Sequence, residues 1–399
     1  MLLVVSSGDR TYREYVLRAA AREHRLWLVQ PNPVTWQAPH LTGHSTIDTL
    51  DPAAIAEVAR EVRAAGIFCY DEMRVEQAAT AAHALDLPGP PPEAVAACRD
   101  KWRTRELLAA AGLAVASAAV ADLAAAEKAA ADIGYPVVVK PRNQGASRGV
   151  RLVTHPDLLG PAVAAALAET WPGVPTPPRP ALVEEYLHGP EASVDSLVHR
   201  GVVTPVVIAR KRTGFAPAFE EVGHDIDTAD PLYDDGDLRD VLTRAHAALG
   251  FDHGVTHTEL RLTPAGPRVV EVNARLGGDL IPYAGTLATG VDLAAATARL
   301  ACGVFTHPRR RHAGHAAVRF LYPEADCRVA AVHIDRSELP TEIDTVAPVA
   351  EPGELLRLPP RGFAERHAVL IATGASPQQI ERALARGADC VRLEVETHR

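Results

Sequence analysis

Thr256-His257-Thr258-Glu259-Leu260-Arg261-Leu262, then Pro264-Ala265-Gly266-Pro267, then Arg268-Val269-Val270-Glu271-Val272-Asn273-Ala274-Arg275-Leu276-Gly277-Gly278-Asp279, is the stretch on which the reading of this 399-residue chain turns. Polar and apolar residues alternate through its first segment, as in a strand with one buried face. The proline- and glycine-containing break then predicts a turn into a second strand. Two adjacent antiparallel strands bring Glu259 close to Glu271, and Asn273, two residues on, shares the face of Glu271. Two carboxylates and an amide oxygen converging in this way make a hard oxygen site suited to Mg²⁺. Like charges packed so closely are costly without a cation. Arg275, two residues further, would meet phosphate or carboxylate oxygens.

Three other stretches carry candidate chemistry. Tyr135-Pro136-Val137-Val138-Val139-Lys140-Pro141 reads as a strand ending in lysine, followed by Asn143-Gln144-Gly145-Ala146-Ser147-Arg148-Gly149-Val150. A glycine-rich turn can lay its N–H groups against phosphate oxygens, and the lysine adds a point charge for the same polyphosphate. Taken alone it is as well an ordinary hairpin with a surface lysine, since it matches neither common phosphate fingerprint. Val183-Glu184-Glu185-Tyr186-Leu187-His188-Gly189-Pro190-Glu191 runs a strand into a short connector. Its backbone could pair with an adenine edge and Glu191 could accept from ribose hydroxyls; an exposed acidic turn reads equally well. Finally, Lys211-Arg212-Thr213-Gly214 and Phe219-Glu220-Glu221-Val222-Gly223-His224 set a carboxylate and an imidazole three residues apart in a predicted loop. Such a pair can hold an ammonium group or move a proton. In a chain with 17 histidines a fortuitous surface histidine competes with that reading.

The length allows two or three packed domains. With 47% apolar and 23% charged residues the composition is that of an ordinary globular protein. A net charge of −9 argues against a nucleic-acid groove, and Arg309-Arg310-Arg311-His312 is the only dense basic run. Five scattered cysteines (Cys69, Cys98, Cys302, Cys327, Cys390) fit a reducing cytosol. The start, Met1 to Gly8, lacks a basic region and a signal-peptide core, and no run approaches the ~18 apolar residues of a membrane span. A cytoplasmic protein is expected.

Strands at Leu2–Val5, Leu26–Val29 and Gly66–Tyr70 alternate with helices at Arg13–Glu23, Pro52–Ala65 and Val75–Leu85, which predicts a parallel α/β layer. Pro88 to Pro92 breaks it. A helix over Asp100–Ala111 follows, then an α+β segment with helices at Ala124–Ile133 and Pro161–Thr170 around strands at Pro136–Lys140 and Val150–Val153. Pro172–Pro180 is expected to be an exposed loop. From Ala181 short strands dominate (Ala181–Tyr186, Ala192–Val198, Val202–Ala209, Gly254–Leu262, Arg268–Val272), interrupted by one helix, Leu238–Leu249. Past Phe305, strands are expected near Ala316–Leu321 and Ala368–Thr373 with a helix over Pro377–Ala385.

Together these motifs resemble the ATP-grasp superfamily over nearly the whole chain. The resemblance implies an α/β and α+β fold in three parts: an N-terminal parallel α/β (pre-ATP-grasp) domain over 1–95, an ATP-grasp nucleotide-binding and catalytic region over 96–305 with a lid subdomain at about 113–186, and a C-terminal capping subdomain over 306–399. It implies ATP and Mg²⁺ as cofactors, with Mn²⁺ able to substitute. Lys101, opening a helix after Asp100, resembles the first nucleotide lysine and Lys140 the second. Gln144, Gly145, Ala146, Ser147 and Gly149 look like the phosphate loop, Glu184, Glu185, Tyr186 and Leu187 like the adenine hinge, and Glu191 like the ribose carboxylate. Glu259, Glu271 and Asn273 match the metal ligands. Arg275 matches the residue facing the transferred phosphoryl group and the substrate carboxylate, beside Gly277, Gly278 and Asp279 on the substrate side.

Within the superfamily, the Phe219–His224 and Asn273–Gly278 stretches are most similar to the L-amino-acid ligases, dipeptide synthetases such as the bacilysin ligase and carnosine synthase. That match would place Glu221 and His224 in the acceptor pocket as catalytic residues. Ala317-Val318-Arg319-Phe320 and Arg366-His367-Ala368-Val369 look like the capping subdomain shared with biotin carboxylase relatives. Asp279 departs from the bacilysin ligase, where a bulky apolar residue narrows the pocket; a carboxylate there is expected to face a basic substrate group or a protein arginine. The implied reaction joins a small-molecule carboxylate to an amine through an acyl phosphate, releasing ADP and phosphate, with an amino acid as one partner in a biosynthetic pathway. No nucleic acid or membrane partner is expected, and a homodimer is compatible with the reading. The rivals are a carboxylase- or transformylase-like enzyme and a non-catalytic nucleotide-binding regulator. The complete set of Glu259, Glu271, Asn273 and Arg275 speaks against the regulator.

Overall fold

The computed structural model describes residues 1–170 and 180–396. The expected loop Pro172–Pro180 lies, but for Pro180, outside them. The chain opens with β1 (Leu2–Val5), α1 (Arg10–Ala21), β2 (Leu26–Gln30), β3 (Gly43–Thr46), α2 (Pro52–Glu61), β4 (Gly66–Cys69) and α3 (Val75–His83). The four strands pair in parallel in the order β3-β2-β1-β4. All four residues of β1 are buried, as a strand covered on both faces requires. α1 begins three residues earlier than the apolar pattern predicts, because the Asp9 carboxylate accepts from the N–H of Thr11 at 2.9 Å and caps the helix there.

The proline-rich break ends where Pro92 opens α4 (Pro92–Arg99), a first-turn position at which proline's missing N–H costs nothing. Asp100 then caps α5 (Lys101–Ala110), leaving Lys101 as its first helical residue. β5 (Ser117–Val120), α6 (Leu123–Ile133), β6 (Val137–Pro141), β7 (Arg151–Val153), α7 (Leu159–Ala168) and β8 (Ala181–Glu185) form a second unit, an antiparallel sheet in the order β5-β8-β6-β7 with its own core against the two helices.

The largest sheet has eight antiparallel strands in the order β13-β12-β9-β10-β11-β14-β18-β16. Its members are β9 (Glu191–His199), β10 (Val202–Gly214), β11 (Glu220–Asp227), then, after α8 (Gly236–Leu249), β12 (His253–Thr263) and β13 (Gly266–Asn273). Two helices absent from the sequence reading, α9 (Ile281–Thr289) and α10 (Leu293–Ala301), precede β14 (His315–Leu321). After β15 (Cys327–Ile334) come β16 (Ile343–Pro348), β17 (Leu355–Leu356), β18 (Ala368–Gly374), α11 (Pro377–Asp389) and β19 (Val391–Val395). β14, β18 and β16 extend the central sheet, while β17-β15-β19 make a small sheet beside it.

One expectation is corrected here. Glu220 to His224 are not a loop but the start of β11, paired antiparallel with β10 so that His224 stands opposite Lys211. Its polar side chains turn into the protein rather than into water, which hides the strand from a hydrophobicity reading: Glu220 is 2% and His224 0% exposed.

Candidate functional site

Pairing of β12 with β13 sets Glu259 directly opposite Glu271 and His257 opposite Asn273, with a register shift just after Glu259. Each carboxylate holds a lysine: Lys101 Nζ lies 3.0 Å from Glu271, and Lys211 Nζ 2.8 Å from Glu259. Lys101 also donates to the Gln144 carbonyl at 2.6 Å, so α5 anchors the start of the 144–150 loop. Two cross-strand carboxylates beside the buried amide of Asn273 form a donor set of hard oxygens, which fits a Mg²⁺-type ion.

Two cavities meet at this point. One, of about 120 Å³, lies between the 117–185 unit and the central sheet; Val138, Tyr186, Leu187 and Phe219 line it with apolar surface, and Lys140, Glu191 and Glu271 with charge. The other, of about 380 Å³, is bounded by the N-terminal layer, the β13–α9 turn and residues 364–366. Gly145, Ala146 and Ser147 line both, as do Glu259 and Arg275. The loop is therefore the partition between the cavities, and its left-handed backbone at Ala146 (φ 54), Ser147 (φ 55) and Gly149 (φ 69) shapes a tight turn.

Glu184 is among the residues that line the cleft, and its charge is already engaged by protein cations. The carboxylate is buried, bonded to Arg105 at 2.8 and 2.9 Å and to Lys140 at 2.7 Å. Burial opposes its charge, but the two cations hold it down at about 2. Burial lowers Lys140 to about 8 despite the same carboxylate. Glu185, Tyr186 and Leu187 line the same cleft. Glu191 is held by Arg261 in a close ion pair and by Lys211 at 3.7 Å, and Arg261 lies 5.5 Å from the centres of both the Tyr186 and Phe219 rings.

Lys211 has a larger part than its sequence context suggested. Its ammonium, 2% exposed, sits 2.6 Å from Glu221 as well as 2.8 Å from Glu259. Burial disfavours that charge, but the carboxylates of Glu221, Glu259 and Glu191 keep it well above the usual lysine range. Glu221, His224 and Asp279 bring one ligand atom each to within 4.8 Å of one another. Asp279 takes a two-pronged pair from Arg366 at 2.7 and 2.9 Å and lies 3.3 Å from His224 Nε2. The partner of Asp279 is thus a protein arginine, and the carboxylate does not by itself require a basic substrate. Lys211 stands against Glu221 and Arg366 against Asp279, so two members of the trio have a protein cation beside them.

Arg275 reaches across to the N-terminal layer, where its Nε makes a close ion pair with Glu72; Arg99 pairs with the same carboxylate. Burial works against the Glu72 charge, and the two arginines hold it at about 2. Gly277, which follows Arg275 by two, is pressed against a buried pair: a Cβ there would stand 2.9 Å from Asp195 and from His257. The Asp195–His257 bond is 2.6 Å, and although burial lowers the imidazole's pKa, Asp195 and Glu259 raise it to about 9.

Glu72, Arg105 and Asp195 had no role in the sequence reading, and Arg366 entered it only within the stretch that resembles the capping subdomain. None lies in a glycine-rich motif; Arg105 comes from α5 and Asp195 from β9, while Glu72 lies in the turn after β4 and Arg366 just before β18. Lys211 was in view, but only its register with His224 across β10 and β11 reveals its carboxylate partners.

Residues 133–283 match the ATP-grasp domain family. Carnosine synthase 1 of Gallus gallus is 31% identical over 314 residues, which cover 71% of this chain and 33% of that protein. An uncharacterized protein, y4rH, of Sinorhizobium fredii is 32% identical over 253 residues, 61% of this chain and 50% of its own length. The chain spans half or less of the length of these curated relatives. An L-amino acid ligase from Bacillus licheniformis superposes with a TM-score of 0.81 at 22% identity, covering 99% of this chain and 98% of that one.

Proposed function

We propose, on the premise that the chain carries an ATP-grasp domain in an ATP-grasp fold, that the protein is an ATP-dependent carboxylate–amine ligase. A substrate carboxylate oxygen attacks the γ-phosphorus of ATP, ADP leaves, and an acyl phosphate forms. An amine then attacks the acyl carbon, phosphate leaves, and an amide remains. The observation that carries the reading is the facing pair Glu259 and Glu271, with Asn273, at the junction of the two cavities.

Glu259, Glu271 and Asn273 would hold Mg²⁺, or Mn²⁺ in its place, which when bound neutralises phosphate charge. Lys101, Lys140 and the amides of Gln144–Gly149 offer the remaining positive charge and donors, and Tyr186, Leu187 and the hinge backbone receive the base. Arg275, oriented by Glu72, meets the reacting carboxylate; Gly277 and Gly278 let the substrate approach the backbone. Glu221 and His224 face the amine side and can orient it or take its proton. Positioning and charge neutralisation are what such a reaction asks of the protein. Likeness to carnosine synthase and to an L-amino acid ligase supports an amino acid as one substrate. The five free cysteines and the use of ATP support the cytoplasm, where the protein acts alone or as a homodimer.

The test is an ADP-release screen over amino acids and small carboxylic acids taken pairwise, with products read by mass spectrometry. ADP release that needs both partners, with an amide product, is expected. Release with bicarbonate or formate as the sole carboxylate, or with no pair at all, would overturn the reading.

A further inference from the structure

Arg13 stands apart from the other cations of the 380 Å³ cavity. Arg275 is paired with Glu72, Arg366 with Asp279, and Arg74 with Asp71 at 3.8 Å. His257 is held by Asp195. Arg13, on the first turns of α1, donates to the Gly277 carbonyl at 3.2 Å, and its guanidinium lies 5.6 Å from the centre of the Tyr70 ring. Among the described residues it has no carboxylate partner. Gly8 keeps the space beside it open, since a Cβ there would come within 3.0 Å of Arg13 Cγ.

We propose that Arg13 receives a substrate carboxylate that does not take part in the reaction. A half-buried guanidinium without a counter-charge is costly, and its planar fork suits a carboxylate held by two parallel bonds. The Gly277 carbonyl it touches is only two residues from Arg275, so the anion it binds belongs to the same or the adjoining substrate as the reacting group. Two sources share this chemistry: the α-carboxylate of an amino acid serving as the amine, and the side-chain carboxylate of an acidic amino acid serving as the acyl donor. The inference rests on the ligase reading for the identity of those substrates, but the contact itself is one of binding.

The experiment is calorimetric titration of the full chain with Mg²⁺ and a non-hydrolysable ATP analogue, comparing wild type with Arg13→Gln and Arg13→Lys. The ligands are α-amino acids against their α-carboxamides, and aspartate and glutamate against asparagine and glutamine. Wild type should prefer one set of acids over its amides, and Arg13→Gln should weaken those acids by on the order of 10- to 100-fold, the range for one charge-assisted contact, while leaving the amides unchanged. Arg13→Lys should keep part of the preference, and all three proteins should melt alike. Loss of the α-acid preference assigns the amine substrate as the source; loss of the side-chain preference assigns the donor. No acid preference in wild type, or a preference that survives in Arg13→Gln, overturns the inference. ADP release is followed in parallel. Acid-selective binding lost in Arg13→Gln with no ADP from any pair would remove the ligase reading and leave Arg13's role standing.

Discussion

At the residue scale, the site sets buried and half-buried charges against one another. Glu271 is the clearest case: it faces Glu259 across the ladder and holds Lys101 at 3.0 Å. Glu271→Gln keeps the shape and removes one anionic oxygen from the metal-type set. ADP formation should fall by orders of magnitude with the fold intact by circular dichroism, and near wild-type turnover would sink the assignment. The buried Asp195–His257 pair supports a different measurement. The folded pKa of His257, about 9, lies above the ordinary value of 6.5. The pair's contribution to stability is therefore fully present below about pH 6.5 and is lost as pH rises through about 9. Asp195→Asn should lower stability at pH 6 by about 3–5 kcal/mol, the range for breaking a buried pair, and flatten the decline between pH 6.5 and 9. Urea unfolding of both proteins at several pH values reads this directly; equal pH slopes would show that the pair does not set them.

At the scale of elements, Arg105 on α5 ties two sheets together. It grips Glu184 of β8 and donates to the carbonyls of Val269 and Val270 in β13 at 2.9 and 2.8 Å. Lys140 at the end of β6 completes the knot from within the smaller sheet. Glu184→Gln would leave two buried cations short of an anion. Thermal or urea unfolding should report a loss of about 3–5 kcal/mol, the size expected when one partner of a buried ion pair is removed. A loss below about 1 kcal/mol would mean that water reaches the cluster. The β13–α9 turn carries its own cost: Asp279 (φ 52) and Leu280 (φ 62) both adopt left-handed backbone, each worth about 1 kcal/mol or more of strain. The two-pronged bond from Arg366 helps hold Asp279 in that turn.

At the scale of the whole molecule, one loop separates two cavities built by different parts of the chain. Its internal backbone bonds, among the described residues, run from Arg148 N to Gly145 O and from Val150 N to Ser147 O. If its other amides find partners on phosphate, hydrogen exchange over 144–150 should slow when Mg²⁺ and a non-hydrolysable ATP analogue are added, by tenfold or more for an ordered segment. Unchanged exchange at saturating nucleotide would count against a lid. The N-terminal layer contributes to the same place, because Arg13 of α1 and Glu72 of the turn after β4 both line the larger cavity.

The sequence by itself determined the parallel first layer, the antiparallel pair carrying Glu259 and Glu271, and the glycine-rich loop after Lys140, because each is written in local periodicity and turn chemistry. Periodicity of two is enough to predict which carboxylates share a face, and β12 and β13 set Glu259 opposite Glu271, although the register shifts just after that pair. The tertiary structure alone decided who neutralises whom. Lys211 meets Glu221 and Glu259 across strands, Arg366 meets Asp279 from 87 residues away, and Glu72 meets Arg275 from 203. It also decided that β11 is a strand, since a polar segment becomes one only when a neighbouring edge and a charged interior are there to receive it. Charge pairing depends on distances of a few ångströms between side chains remote in the chain, and no local pattern encodes those distances.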